Sequence, residues 1–294
     1  MTIRSNVEKV VARIGDLPAM PEIVTKVMQI TEDPGVAVSD VSELIEQDPA
    51  LTAKLLKVSN SSYYGMRQVV GTLKLALVIL GVREVRNIVL GISVVDTLSD
   101  ASTDRLLNKE GLWKHSVTVA SFSKKLGIHL DLSLQGEDFI AGLLHDIGKL
   151  VLWRQMQDEY IEVYDAAKEN GGSLHEFELD RLGFDHADAA FAIAESWALP
   201  ESLADALFTH HPRADRHLDE SKDPQLSALI RIANLASRED FEDEAATHET
   251  MASCNDEEAW GILVPGADKL SPEDRFSLLK VFAHEVQHMP DLAL

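Results

Sequence analysis

SDVSELIEQDPALTAKLLKVSNS, residues 39–61, reads as two helices in succession. Val41, Leu44 and Ile45 recur at spacings of three and four, and Leu51, Leu55 and Leu56 do the same, so each half carries one apolar face. Asp48-Pro49 is the joint: the carboxylate can cap the second helix, and proline at its first position loses no hydrogen bond. Ser39 offers a start for the first helix, with Glu43 placed to meet the positive end of its dipole. The same periodicity predicts helices over PEIVTKVMQI (21–30), LKLALVIL (73–80), REVRNIVLGISVVDTL (83–98) and WKHSVTVASFSKKLGI (113–128), punctuated by Gly71, Gly81, Gly127 and Gly171-Gly172. Only LALVIL and AWGILV could pass for buried strands, and neither has a second strand nearby, so the chain is expected to be all-α.

Composition narrows the function classes. The 294 residues are 45% hydrophobic, enough for a sizeable core. Lys and Arg total 27 against 49 Asp and Glu, a formal charge of −22 that repels nucleic-acid backbones and anionic headgroups, so neither nucleic acid nor membrane is expected as a partner. The single cysteine, Cys254, cannot form an internal disulfide, and no apolar run approaches a membrane span or signal segment. A soluble cytoplasmic chain is expected.

Polar DTLSDASTDRLLNKE (96–110) looks like a short joint, dividing an N-terminal helical lobe (1–100) from a second helical lobe (101–240). An acidic stretch, SREDFEDEAATHETMASCNDEE (237–258), reads as a solvated loop or frayed helix. After it, Ser271-Pro272-Glu273-Asp274 is a strong helix start, and the closing segment of 241–294 is expected to pack back on the body.

Eleven histidines occur, and several fall in a suggestive series: His115 in LWKHSVTVA, His145-Asp146 in GLLHDIGKL (142–150), His186 in LGFDHADAA, and His210-His211 in LFTHHP. A lone histidine in an apolar helix is usually a hydrogen-bonded core residue. A series of them suits a divalent ion, which needs neutral imidazoles and carboxylates converging from separate rigid helices. On one helix, His145 and Asp146 would project about 100° apart; one ion can sit in that angle, or the two Asp146 oxygens can bridge a pair. Lys149, one turn on, could neutralise a phosphate oxygen while the ion activates water for phosphate-ester hydrolysis.

The series resembles the HD superfamily of metal-dependent phosphohydrolases, whose signature is His, His-Asp, then a distant Asp. The additional His186, His210 and His211 are similar to its dinuclear HD-GYP branch, which hydrolyses cyclic dinucleotides. Two departures stand out. In ALIRIANLASRED the position of the closing aspartate is Asn234, and HHPRADRHL lacks the Gly-Tyr-Pro lettering. Two divalent ions would then meet one carboxylate among neutral ligands, so the set His115, His145, Asp146, His186, His210, His211 and Asn234 is read as holding one ion, or two held weakly.

Over residues 15–235 the lettering LPAMPEIVTKVMQI, VSELIEQDPALTAKLLKVSNSSYYG and GTLKLALVILGVREVRNIVLGISVV resembles the HDOD family, the HD-related output domains of bacterial signalling proteins. That resemblance implies a two-lobed helical fold, an N-terminal helical bundle with an HD-like C-terminal lobe. It also implies signalling proteins as partners, a nucleotide or phosphate as ligand, and a regulatory role with little or no hydrolysis. The cofactor expected is one or two divalent transition-metal ions (Fe, Mn, Zn or Ni). The alternative is a metal-dependent phosphodiesterase in which Asp146 and Lys149 act catalytically. A second motif, His284-Glu285-Val286-Gln287-His288, matches the H-E-x-x-H of zinc peptidases, but only MPDLAL follows it and supplies no third ligand, so it is read as helix surface.

Overall fold

The computed structural model describes residues 10–287, apart from 16, 62, 63, 65, 67, 99–108, 135, 239, 240, 242–249, 253 and 266–269. Among the described residues the regular elements are helices, with one isolated bridge between Arg213 and Arg216. In order they are α1 (Glu22–Ile30), α2 (Val38–Ile45), α3 (Pro49–Ser59), α4 (Leu73–Leu80), α5 (Val82–Leu98), α6 (Lys109–His129), α7 (Glu137–Leu144) and α8 (Ile147–Asn170). There follow α9 (Leu174–Leu182), α10 (His186–Ser196), α11 (Glu201–Thr209), α12 (Pro224–Ala236), α13 (Glu257–Leu263) and α14 (Pro272–Gln287).

The Asp-Pro device works as its chemistry dictates. Asp48 accepts from the amides of Ala50 and Leu51, both at 3.0 Å, with Pro49 opening α3. Asp223-Pro224 repeats it at α12, where Asp223 accepts from Leu226 N at 3.0 Å. The expected Ser39 start is displaced: α2 begins at Val38 behind Ala37, with no side-chain cap, so Ser39 lies inside the first turn. Gly127 does not break a helix but sits within α6, where Leu229 and Asp138 approach. The polar joint 99–108 and the Ser62-Tyr63 and Gly65 positions lie outside the described residues.

Helix α2 packs on α1, α3 and α4, these three pack on α5, and α5 in turn packs on α7 and α8. Its buried residues, among them Val85, Ile88, Val89, Leu90, Ile92 and Val94, cover all sides rather than one stripe, as a helix packed from both directions requires. Two polar ties reinforce this seam. Asn87 Nδ2 donates to Gly136 O at 3.0 Å, and Tyr64 OH donates to Glu84 Oε1 at 2.8 Å, with Lys124 of α6 at 3.5 Å from the same carboxylate.

The remaining helices wrap a second centre. α6 lies on α7 and α12, α8 on α10, and α11 between α10 and α12. α14 returns to α6, its Phe282 ring 6.0 Å from Phe122, and Ser271 Oγ accepts from Asp274 N at 3.1 Å at its start. Of the acidic stretch, residues 239, 240, 242–249 and 253 lie outside the described residues, and at its end two carboxylates meet a buried arginine. Glu258 lies 2.9 Å from the buried guanidinium of Arg231, Leu218 N donates to Glu258 at 2.8 Å, and Asp256 caps α13. Glu258 keeps 38% of its side chain exposed, as a solvated run implies, yet it lies against Arg231, a buried cation that needs partners.

Two glycines of GLLHDIGKL set how closely the site's helices approach. A Cβ at Gly142 would lie 2.6 Å from Ala120 Cα on α6, and one at Gly148 would lie 1.7 Å from the His186 carbonyl oxygen at the start of α10. Gly148→Ala should therefore force α8 and α10 apart and destabilise the chain by about 1–3 kcal/mol or more. In thermal denaturation this is a drop of roughly 2–4 °C per kcal/mol. Gly71→Ala, where nothing lies within 4 Å, serves as control and should leave the midpoint near wild type.

Candidate metal centre

His115 comes from the first half of α6, and Asn234 from the last turn of α12. The other five residues stand at helix ends. His145 and Asp146 occupy the break between α7 and α8, not one continuous helix as the motif suggested, with φ/ψ of −52°/−36° and −97°/9°. His186 opens α10, and His210-His211 follow the end of α11. The break lets the adjacent side chains converge on the same small volume.

Asp146 is its centre. Its Oδ1 lies 3.1 Å from His186 Nε2 and 3.7 Å from His210 Nε2, and its Oδ2 lies 3.3 Å from His145 Nε2 and 3.4 Å from His115 Nε2. His211 Nε2 is 2.9 Å from His186 Nε2. All these groups are buried except His115, whose side chain is 20% exposed. Lys149 Nζ pairs with Asp146 Oδ2 at 2.5 Å.

The far side of each ring decides its tautomer. His145 Nδ1 donates to Gly142 O at 2.7 Å, and His210 Nδ1 to Leu207 O at 2.6 Å. A carbonyl only accepts, so each Nδ1 carries a proton and Nε2 is the atom turned inward, bare whenever the ring is neutral. His186 Nδ1 donates at 2.6 Å to Glu178 Oε2, which also accepts from His186 N at 2.8 Å, while Tyr160 OH donates to Oε1 at 2.5 Å. Glu178 is fully buried and was not among the candidates read from sequence. The acid in HEFELDRL has no local signature, and only the fold of α9 onto α10 gives it a partner.

Asn234 is buried, its Oδ1 without a hydrogen-bond partner, while its Nδ2 lies 3.5 Å from His210 O. Several imidazole nitrogens and a carboxylate crowded into one buried volume repel one another unless something positive joins them. Asp146 Oδ1 likewise has no hydrogen-bond donor. The donor set therefore fits a divalent cation. The buried His/Asp cluster is able to bind a metal ion, its donor atoms falling into two groups that share Asp146.

The start of α10 and the loop after His211 are locked together. Asp185 and Asp188 cap each other's backbones, and Arg216, buried beneath them, reaches Asp185 at 2.7 Å and Asp188 at 3.0 Å. Sequence reading took HHPRADRHL only as lacking a motif; its arginine is what holds His186 and His211 in register.

Beside the cluster lies a cleft of about 280 Å³ lined by His115, Asp146, Lys149, Tyr164 and Arg238. The H-E-x-x-H stretch lies only in part within the described residues. Glu285 is paired with Lys125 at 2.5 Å, and His288 lies outside them. Cys254 is buried.

Burial pushes His115, His210 and His211 well below the ordinary histidine pKa, with neighbouring rings adding to it, and takes His175, stacked on His211 at 4.1 Å, to about 4. Burial opposes charge on His186 as well, but Glu178 outweighs it and raises that pKa. Burial would raise the Asp146 carboxyl too, yet His145 and Lys149 hold it well below the carboxylate range. Below about pH 6.5 the unfolded chain protonates histidines that stay neutral in the fold, so those four lose stability as pH falls; His186 contributes oppositely. Urea denaturation in chelator should show the protein less stable by a few kcal/mol at about pH 5.5 than at about pH 7.5. Equal or greater stability at the lower pH would mean that the Glu178–His186–Asp146 chain dominates.

Comparison with known proteins follows the same lines. An uncharacterized protein of Treponema pallidum is 27% identical over 227 residues, 77% of this chain but 43% of that protein's length, so the chain spans less than half of it. The fold matches that of an HDOD domain protein of unknown function from Geobacter sulfurreducens, at 21% identity and TM-score 0.74 with 100% of both chains covered. A candidate phosphohydrolase from Shewanella amazonensis gives 21% identity and TM-score 0.71 over 95% of each chain. No described helix is long and apolar enough to cross a membrane. The model of the HDOD domain matches residues 17–212, well over half of the sequence, and the chain belongs to the HDOD family.

Proposed function

We propose that this protein is a regulatory signalling module whose His/Asp pocket takes a divalent transition-metal ion together with a phosphate-bearing ligand. Its occupancy would be passed on through contacts with other signalling proteins, with little or no hydrolysis. The observation that carries this reading is the convergence of bare Nε2 atoms on Asp146 while Asn234, not a second carboxylate, stands at the closing position. An imidazole-rich set with one carboxylate suits Fe, Mn, Zn or Ni. A divalent ion supplies a Lewis acid that polarises phosphate oxygens and acidifies water.

The chain's own residues divide the remaining work. Lys149 sits at the cleft with its ammonium on Asp146 Oδ2, and Arg238 lines the same cleft, so an entering anion meets two cations. Tyr160 and Glu178 fix the His186 ring and keep its proton on Nδ1. Asn234 can offer its amide oxygen as a ligand but brings no charge, leaving the pocket more positive than a two-carboxylate set. Such a centre holds an anionic ligand well, but with a single carboxylate it holds less firmly the cations that would activate water.

The second reading, a metal-dependent phosphohydrolase, is favoured by the cleft itself, which exposes Asp146, Lys149 and His115 to a ligand. One set of measurements separates the two. Elemental analysis of the isolated protein should find a transition metal that Asp146→Ala removes. Hydrolysis of bis-p-nitrophenyl phosphate should be far below ordinary enzyme turnover of roughly 1 per second. Asn234→Asp should raise it by about tenfold or more, the effect of roughly 1.4 kcal/mol in the barrier. Ordinary turnover by the wild type would overturn the regulatory reading, and absence of metal under all loading conditions would overturn both.

A further inference from the structure

The two oxygens of Asp146 face different surroundings. Around Oδ1 stand His186, His210 and His211, and the four ligand atoms of this group lie within 4.8 Å of one another, every residue buried. Around Oδ2 stand His145, buried, and His115, which opens to the cleft beside Lys149 and Arg238. Resting on the metal-binding reading above, we infer that the cluster is a pair of unequal cation positions. The enclosed one has four protein ligands and fills first; the cleft-facing one has three and fills only together with an anion of the phosphate class.

Ligand number gives the first reason. Three imidazoles and a carboxylate complete a four-coordinate shell with no place for solvent, whereas two imidazoles and a shared carboxylate leave a position open. Charge gives the second. One carboxylate cannot offset two divalent ions, and the Oδ2 side already carries the Lys149 ammonium at 2.5 Å. A cation added there competes with Lys149 for the same oxygen, so it needs negative charge from elsewhere. Inorganic phosphate or a phosphomonoester entering the cleft brings that charge and releases Lys149 to pair with it.

This order runs against the sequence signature, in which His115, His145, Asp146 and the closing residue form the primary set. Here the closing residue is Asn234, whose amide nitrogen lies 3.5 Å from His210 O. Of the three later histidines, His186 is held by Glu178 through its ring and by Arg216 through the neighbouring Asp185, and His210 by the Leu207 carbonyl. Ligand count and this anchoring both assign the higher affinity to that half.

The test is a Mn²⁺ titration of chelator-stripped full-length protein, counted by the paramagnetic resonance of the free ion, with and without excess inorganic phosphate. Without phosphate one ion should bind tightly per chain; with phosphate a second should bind, and the spectrum should become that of an exchange-coupled pair. His115→Ala should keep the first ion and lose the phosphate-dependent second. His211→Gln should weaken the first by at least the roughly 10–100-fold that loss of an outer-shell partner costs. Circular dichroism checks the fold of each variant, and if His211→Gln does not fold, the partly exposed His115→Ala decides. Two ions of equal affinity without phosphate, no second ion with it, or loss of the first ion in His115→Ala would each overturn the inference. No Mn²⁺ binding in any condition would instead overturn the metal reading on which it rests.

Discussion

Everything at the centre of this protein answers to one buried carboxylate. Asp146 is 1% exposed and ringed by imidazole nitrogens at 3.1 to 3.7 Å, with a single ammonium, Lys149, reaching in from the cleft. A charged group taken from water at such depth has to be matched by charge or hydrogen bonds, and no backbone amide supplies them at Oδ1. The surrounding helices are therefore committed to delivering ring nitrogens there, and their outer hydrogen bonds are arranged to leave the inner nitrogen free.

Delivering those rings requires backbones to come unusually close. Gly142 lets α7 lie against α6, and Gly148 lets α8 lie against the first turn of α10, so the two glycines flanking His145-Asp146 serve the metal-type residues on other helices. The second layer of support is ionic. Glu178 orients His186, and Arg216 ties the start of α10 to the end of α11, where His210 and His211 follow. On the opposite side α5, buried all round, joins this centre to the N-terminal helices by packing on α7 and α8.

How far the sequence carries depends on the kind of signal. The helices over 21–30, 73–80, 83–98 and 113–128 were legible within a few residues because apolar spacing of three and four is a local property, and Asp48-Pro49 because a cap is made within one turn. Ser39 and Gly127 misled for the same reason. A good starting residue or a helix breaker states only a preference, and packing on α12 and α7 was free to override it at Gly127. That Asp256 and Glu258 meet Arg231 was not legible, because that arginine lies in a separate helix.

The sequence by itself determined the all-helical class, the family, and the identity of the histidines and the aspartate, since these rest on periodicity and on residue types at fixed places in the chain. Tertiary structure alone decided that His145 and Asp146 stand at a break between helices, that Glu178 belongs to the site, and that the two Asp146 oxygens serve different neighbours. Those facts depend on distances between atoms far apart in the chain, set by how closely α6, α8, α10 and α11 pack, and no local pattern encodes such a distance.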